Sequence, residues 1–233
     1  MSGTSYSHNK ILSALKNEFS AGRTTFDLLF LLSGLAVQVI VYVIEPQSPI
    51  AIVSGIAGIF SVILCSQGKI STFFFGFIQI TTYLYLSLVE HLYAEVAMNI
   101  FYFVSQIYGI IVWRKRYKDT GNATALKTRK MKKSVFGVIF ILSVLLSFLV
   151  GYLLQRYTDD TQPYLDAFTT IPAIFAQIMM VMAYKEQYFI WLMIDVFAVI
   201  MWWRAGEYCL VAQYGFWCVN CLYGYYNWSK KLV

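Results

Sequence analysis

Eight apolar runs, each long enough to cross a bilayer, dominate this chain of 233 residues: 26–44, 50–66, 70–89, 93–113, 134–154, 168–184, 187–203 and 209–228. A run of about 20 apolar residues spans the hydrocarbon core as a helix. In lipid every backbone N–H and C=O must be satisfied inside its own segment, and these runs are too long for barrel strands. The fold class expected is therefore an all-α integral membrane protein. Composition agrees, since 13% of residues are charged and 59% hydrophobic. A soluble domain carries about 25% charged residues.

The net charge of +6 points to orientation rather than to nucleic acid. With eight spans, 16 of the 18 Lys and Arg residues fall on one side, leaving only Arg156 and Arg204 on the other. Basic loops stay in the cytoplasm, so both termini and the basic loop 114–133 are expected there. The sequence before residue 26 carries Ile11, Leu12, Leu15 and Phe19 at helical spacing, which predicts an amphipathic surface helix. The first apolar run ends at Glu45-Pro46 without a small-x-small cleavage site, so it reads as a span and not as a signal peptide. Cys65, Cys209, Cys218 and Cys221 lie in or beside apolar runs and read as small packing residues; no metal site and no cofactor are expected.

A shift of 115 residues superposes one part of the chain on another. Phe74 falls on Phe189, Tyr93 on Tyr208, Ala97 on Ala212, Phe101 on Phe216, Tyr108 on Tyr223, Gly109 on Gly224 and Trp113 on Trp228. Three helices thus occur twice, in 50–113 and 165–233. Segment 114–164 holds the basic loop, a linking helix and an outer loop, and 1–49 carries the amphipathic segment and an extra helix. Equivalent helices are four spans apart, so the repeats are parallel, a design found in carriers.

Polar residues inside the spans are costly in lipid and tend to face an interior. Asn99, Tyr102 and Gln106 share a face of the fourth run, with Trp113 at its end. Gln79 and Tyr83 form a stripe on the third run; Tyr188, Trp191 and Asp195 do so on the seventh; Trp217 and Asn220 lie on the eighth. Their amides either bind a solute or bridge helices. Trp113 and Trp228, near span ends, read as interface anchors. The deeper Trp191, Trp217 and Tyr102 can stack on a flat ligand. Asp195 can neutralise a cation, bond a hydroxyl or stay protonated. No phosphate-binding loop, G-x-S-x-G or His-Glu-x-x-His is present, so an enzyme or an ATP-driven pump is not expected.

The stretch Lys69-Ile-Ser-Thr-Phe-Phe-Phe-Gly76, then Leu92-Tyr-Ala-Glu95, Asn99, Gln106-Ile-Tyr-Gly109 and Trp113, resembles the PnuC family of bacterial vitamin transporters. So do Trp191, Phe216-Trp217, Asn220 and Gly224 in the second half. The resemblance covers residues 50 to 228. It implies a 3+1+3, SWEET-like parallel-repeat bundle with one extra N-terminal helix, in the bacterial inner membrane. It implies facilitated diffusion of nicotinamide riboside, trapped by a cytoplasmic kinase acting downstream, and a homo-oligomer such as a trimer. The in-span stripes and the resemblance together give as candidate ligand-binding residues Gln79, Tyr83, Asn99, Tyr102, Gln106, Tyr188, Trp191, Asp195, Trp217 and Asn220. This chain departs from the family at Tyr188, where a Trp is usual, and at Asp195, where an Asn is common. Thiamine and riboflavin therefore stand beside nicotinamide riboside as substrates, and a membrane scaffold or sensor is the reading from another class.

Overall fold

The computed structural model describes residues 24–46, 48–89, 93–118, 126–159 and 162–232. The amphipathic segment expected around residues 11–19 lies outside them. Among the described residues there are eight helices and no strand: α1 (Thr25–Ile44), α2 (Pro49–Ser66), α3 (Thr72–Val89), α4 (Tyr93–Lys118), α5 (Lys133–Tyr157), α6 (Pro163–Val181), α7 (Gln187–Ala205) and α8 (Tyr208–Lys230). The first six are long and apolar enough to cross a membrane. The last two have 19 and 23 residues, long enough to span, but Trp, Tyr, Asn, Gln and Asp dilute their hydropathy.

Local chemistry sets the ends. Thr24 caps α1, with its hydroxyl accepting from the Asp27 N–H at 3.2 Å while the Asp27 carboxylate accepts from the Thr24 N–H at 2.7 Å, a capping box. Ser48 caps α2 with Pro49 at its first turn, where a missing N–H costs nothing. The same device moves α6: the sequence reading placed it at 168–184, but Pro163 starts it five residues earlier. It stops at Val181 because Ala183 turns into the left-handed region at φ 60°.

Helices α2, α3 and α4 pack in succession, as do α6, α7 and α8; across the halves α2 meets α8 and α4 meets α6. Exchanging the halves maps this pattern onto itself. The correspondence reaches single residues at the 115-residue offset. Gly68 and Ala183 are the left-handed residues after α2 and α6, with φ 65° and 60°. Their N–H groups bond the carbonyls of Cys65 and Met180. Those same carbonyls accept from the opposite half: Trp228 Nε1 donates to Cys65 O at 2.9 Å, and Trp113 Nε1 to Met180 O at 3.2 Å. Phe73 stands edge-on to Trp113 at 4.9 Å between ring centroids, Tyr188 edge-on to Trp228 at 5.4 Å, and the two indoles meet at 5.7 Å. Phe73 and Tyr188 can press this close because Gly109 and Gly224 have no Cβ; one built there would lie 2.4 Å from each ring.

Trp113 and Trp228 are thus not interface anchors. Both are 0% exposed, because each indole N–H reaches a carbonyl in the other half. The basic loop also differs from expectation. Helix α4 runs on to Lys118, and residues 126–131 tuck beneath the bundle. Thr128 N–H bonds Lys231 O, Arg129 N–H bonds Ala183 O, Lys185 N–H bonds Arg129 O, and the Thr128 hydroxyl donates to Trp228 O at 2.6 Å. Leu126, Thr128 and Met131 are buried, so this segment straps the ends of α6 and α8 together.

Helix α1 lies on α2 and α8, while α5 lies on α6. The Asp27 carboxylate accepts from the Tyr223 hydroxyl on α8, and Gln67 Nε2 donates to Asp27 O at 3.3 Å. Phe30 stacks with Phe216 at 5.1 Å, and Gly34 allows Ile63 and Phe216 against α1.

Candidate functional site

From the buried tryptophan layer, seven or eight residues back along α4 and α8 is about two turns, roughly 10 Å deeper into the bundle. Gln106 on α4 and Asn220 on α8 occupy that depth, 7% and 2% exposed. Gln106 Oε1 and Asn220 Oδ1 are both buried without a hydrogen-bond partner. A buried acceptor left unpaired costs about 1–3 kcal/mol, so two of them at one depth form a place where a donor-bearing solute gains.

Asp195 on α7 is 7% exposed, and the Cys221 thiol on α8 donates to its Oδ2 at 3.4 Å. A thiol is a weak donor, so this carboxyl holds acceptor capacity in reserve. Gln177 Nε2 donates to Ser105 Oγ at 2.8 Å, tying α6 to α4. Ser105 and Asn220 are equivalent at the 115-residue offset. Ser105 thus has a neighbour to satisfy it, whereas its equivalent Asn220 keeps an unpartnered oxygen, as Gln106 does in the first half.

The aromatic residues divide. Trp191 packs where the clusters around Trp113 and Trp228 and around Ala176 and Ile190 meet. Trp217 packs against the cluster of Phe30, Ile59, Ile63 and Tyr223, so the two indoles belong to different sides of the bundle. Tyr188 is buried in the tryptophan layer rather than at the depth of the amides, its hydroxyl 3.9 Å from Cys65 Sγ. Asn99 is buried on α4 and Tyr102 partly so. Gln79 lies against Gly58 of α2. Tyr83 is 41% exposed and is not brought to the amide layer. Sequence reasoning passed over Gln38, whose buried Oε1 also lacks a partner and whose amide lies against Gly55. A glutamine inside the first apolar run was the signal for it.

Eight packed helices, six of them apolar enough to span a bilayer, with amides, a carboxyl and indoles buried among them, define a multi-pass membrane protein with a polar interior. The comparisons give that class its family. The nicotinamide mononucleotide transporter family matches residues 48–230, and the chain belongs to it. The nicotinamide riboside transporter PnuC of Haemophilus influenzae is 30% identical over 217 residues, covering 93% of this chain and 95% of that protein. The PnuC of Neisseria mucosa is 30% identical over 225 residues, covering 92% and 85%. That of Escherichia coli is 24% identical over 184 residues, covering 70% and 77%. A crystal structure of the vitamin B3 transporter PnuC superposes with a TM-score of 0.77 at 28% identity, covering 94% of this chain and 97% of that one. The chain is a transporter of this family, not an enzyme.

Proposed function

We propose that this protein imports nicotinamide riboside across the bacterial inner membrane by facilitated diffusion, with a cytoplasmic kinase trapping it as its phosphate. The supporting observation is the pair of unpartnered amide oxygens, Gln106 Oε1 and Asn220 Oδ1, at one depth inside the bundle. A nucleoside brings hydroxyl donors to such acceptors, and a flat cationic base suits the face of one of the two indoles, Trp191 or Trp217. The relatives named as nicotinamide riboside transporters point to the same substrate. In this reading the repeats 50–113 and 165–233 enclose the solute near the bilayer midplane, with 1–49 and 114–164 as accessory segments. Asn99, Tyr102, Gln106 and Gln79 line the first half and Trp191, Asp195, Trp217 and Asn220 the second, while Tyr83 on its exposed face and Tyr188 in the tryptophan layer stand outside the site. Both termini are cytoplasmic, and copies of the chain associate as a homo-oligomer.

A second reading is a thiamine carrier of the same fold, raised by Asp195 standing where the family commonly has Asn. A carboxyl that accepts from a thiol suits either cation, nicotinamide riboside or thiamine, so titration and not the carboxyl decides between them. Calorimetric titration of the purified protein with nicotinamide riboside, thiamine and riboflavin separates the readings. Binding of nicotinamide riboside alone supports the first; saturable binding of thiamine with none of the riboside replaces it by the second.

A further inference from the structure

Gly76 on α3 has a partner across the 115-residue offset, and that partner is Trp191. One half carries an indole where the other carries no side chain at all. The space this leaves is filled by Gln106. A Cβ built on Gly76 would lie 2.3 Å from Gln106 Nε2, 3.0 Å from its Cδ and 3.2 Å from Ser61 Oγ. The amide therefore meets α3 nitrogen-first at Gly76, with its buried Oε1 unpartnered. In the second half the residue equivalent to Gln106 is Cys221, which turns to Asp195 instead. The two halves thus build opposite walls from equivalent positions: an indole on one side and a glutamine set against a glycine on the other.

We propose that Gly76 is a positioning residue for ligand recognition, whose missing side chain aims the Gln106 amide so that Oε1 accepts a hydrogen bond from a hydroxyl of the bound nucleoside. This rests on the reading of the protein as a nucleoside carrier. Gly76 itself touches no ligand; it acts only through Gln106. A methyl group there moves the end of a flexible side chain rather than backbone, so the fold survives while the acceptor is displaced.

The test is a double-mutant cycle on the purified full-length protein, with nicotinamide riboside affinity read by titration calorimetry and melting temperature read beside it. Gly76→Ala and Gln106→Ala are each expected to weaken binding about tenfold. The double variant is expected to bind as Gln106→Ala does, because the methyl has no amide left to displace. Wild-type affinity in Gly76→Ala overturns the proposal. So does a double variant weaker than Gln106→Ala, which would mean that Gly76 acts by another route. If Gly76→Ala alone does not fold, recovery of folding in the double variant supports the proposal, since removing the amide then relieves the clash, and a double variant that also fails to fold overturns it. If the wild-type protein ignores the riboside and binds thiamine, which carries a single hydroxyl, the nucleoside reading falls. The same four proteins titrated with thiamine then judge the role of Gly76 separately.

Discussion

Trp228 donates its indole N–H to a carbonyl of the opposite half, although its place at the end of an apolar run marks it, in sequence alone, as a lipid-interface anchor. Sequence position gives depth in the membrane but not which way a side chain faces. The 115-residue offset was the better guide, since it paired Trp228 with Trp113 and both prove buried. Trp228→Phe keeps one aromatic ring but removes the pyrrole ring with its donor, leaving a buried carbonyl short of one bond and a small space in the cluster. The expected loss is about 1–3 kcal/mol, read as a lower melting temperature in detergent; an unchanged melting temperature would show that the bond carries no weight. Lys231, beyond the end of α8, gives a pH signature. Burial first, and then the neighbouring Lys69, push its ammonium from 10.5 down to about 8, with Asp27 opposing. The unfolded chain then binds more protons than the folded one between about pH 8 and 10.5, so stability rises with pH across that window. Lys231→Met is expected to flatten this rise; a rise that persists would assign it to another group.

At the scale of elements, all eight helices were legible as apolar runs, and the ends that moved did so for local reasons. Pro163 opened α6 early and the left-handed Ala183 closed it early, neither of which hydropathy registers. The strap at 126–131 was not legible at all. Its basic residues read as loop, while the burial of Leu126, Thr128 and Met131 depends on carbonyls that appear only once α6 and α8 have turned. Gly68 and Ala183 occupy equivalent left-handed turns, but only Gly68 is free of the Cβ penalty. Gly68→Ala is expected to cost about 1–2 kcal/mol, since the new methyl would also lie 3.2 Å from Lys231 Nζ and 3.3 Å from Leu126 Cβ. Chemical denaturation in mixed micelles reads this, and a cost near zero would mean the turn has an alternative shape. The candidate site was partly legible. Gln106, Asn220 and Asp195 are buried as an in-span polar residue should be, whereas Tyr83 lies on an exposed face and Tyr188 in the tryptophan layer. Four-residue spacing fixes which residues share a face, but not which face turns inward.

The whole molecule is two similar halves closed at one end by indoles and a strap and open in its hydrogen bonding at mid-depth. The proposed orientation, with both termini cytoplasmic, rests on the segregation of Lys and Arg. Cysteines introduced at the exposed positions Lys130 and Thr158, in a background without the native thiols, are expected to react with impermeant maleimide only from the cytoplasm and only from outside, respectively; the reverse pattern would invert the topology. Energy coupling belongs to the same scale, where transport down the substrate gradient is the proposal to be tested. The most direct test of the account is uptake of labelled nicotinamide riboside into sealed vesicles holding the purified protein and no kinase. The account predicts saturable entry that stops when inside and outside concentrations match, unchanged by an uncoupler. Accumulation above the outside concentration that an uncoupler abolishes, or no entry at all, would contradict it.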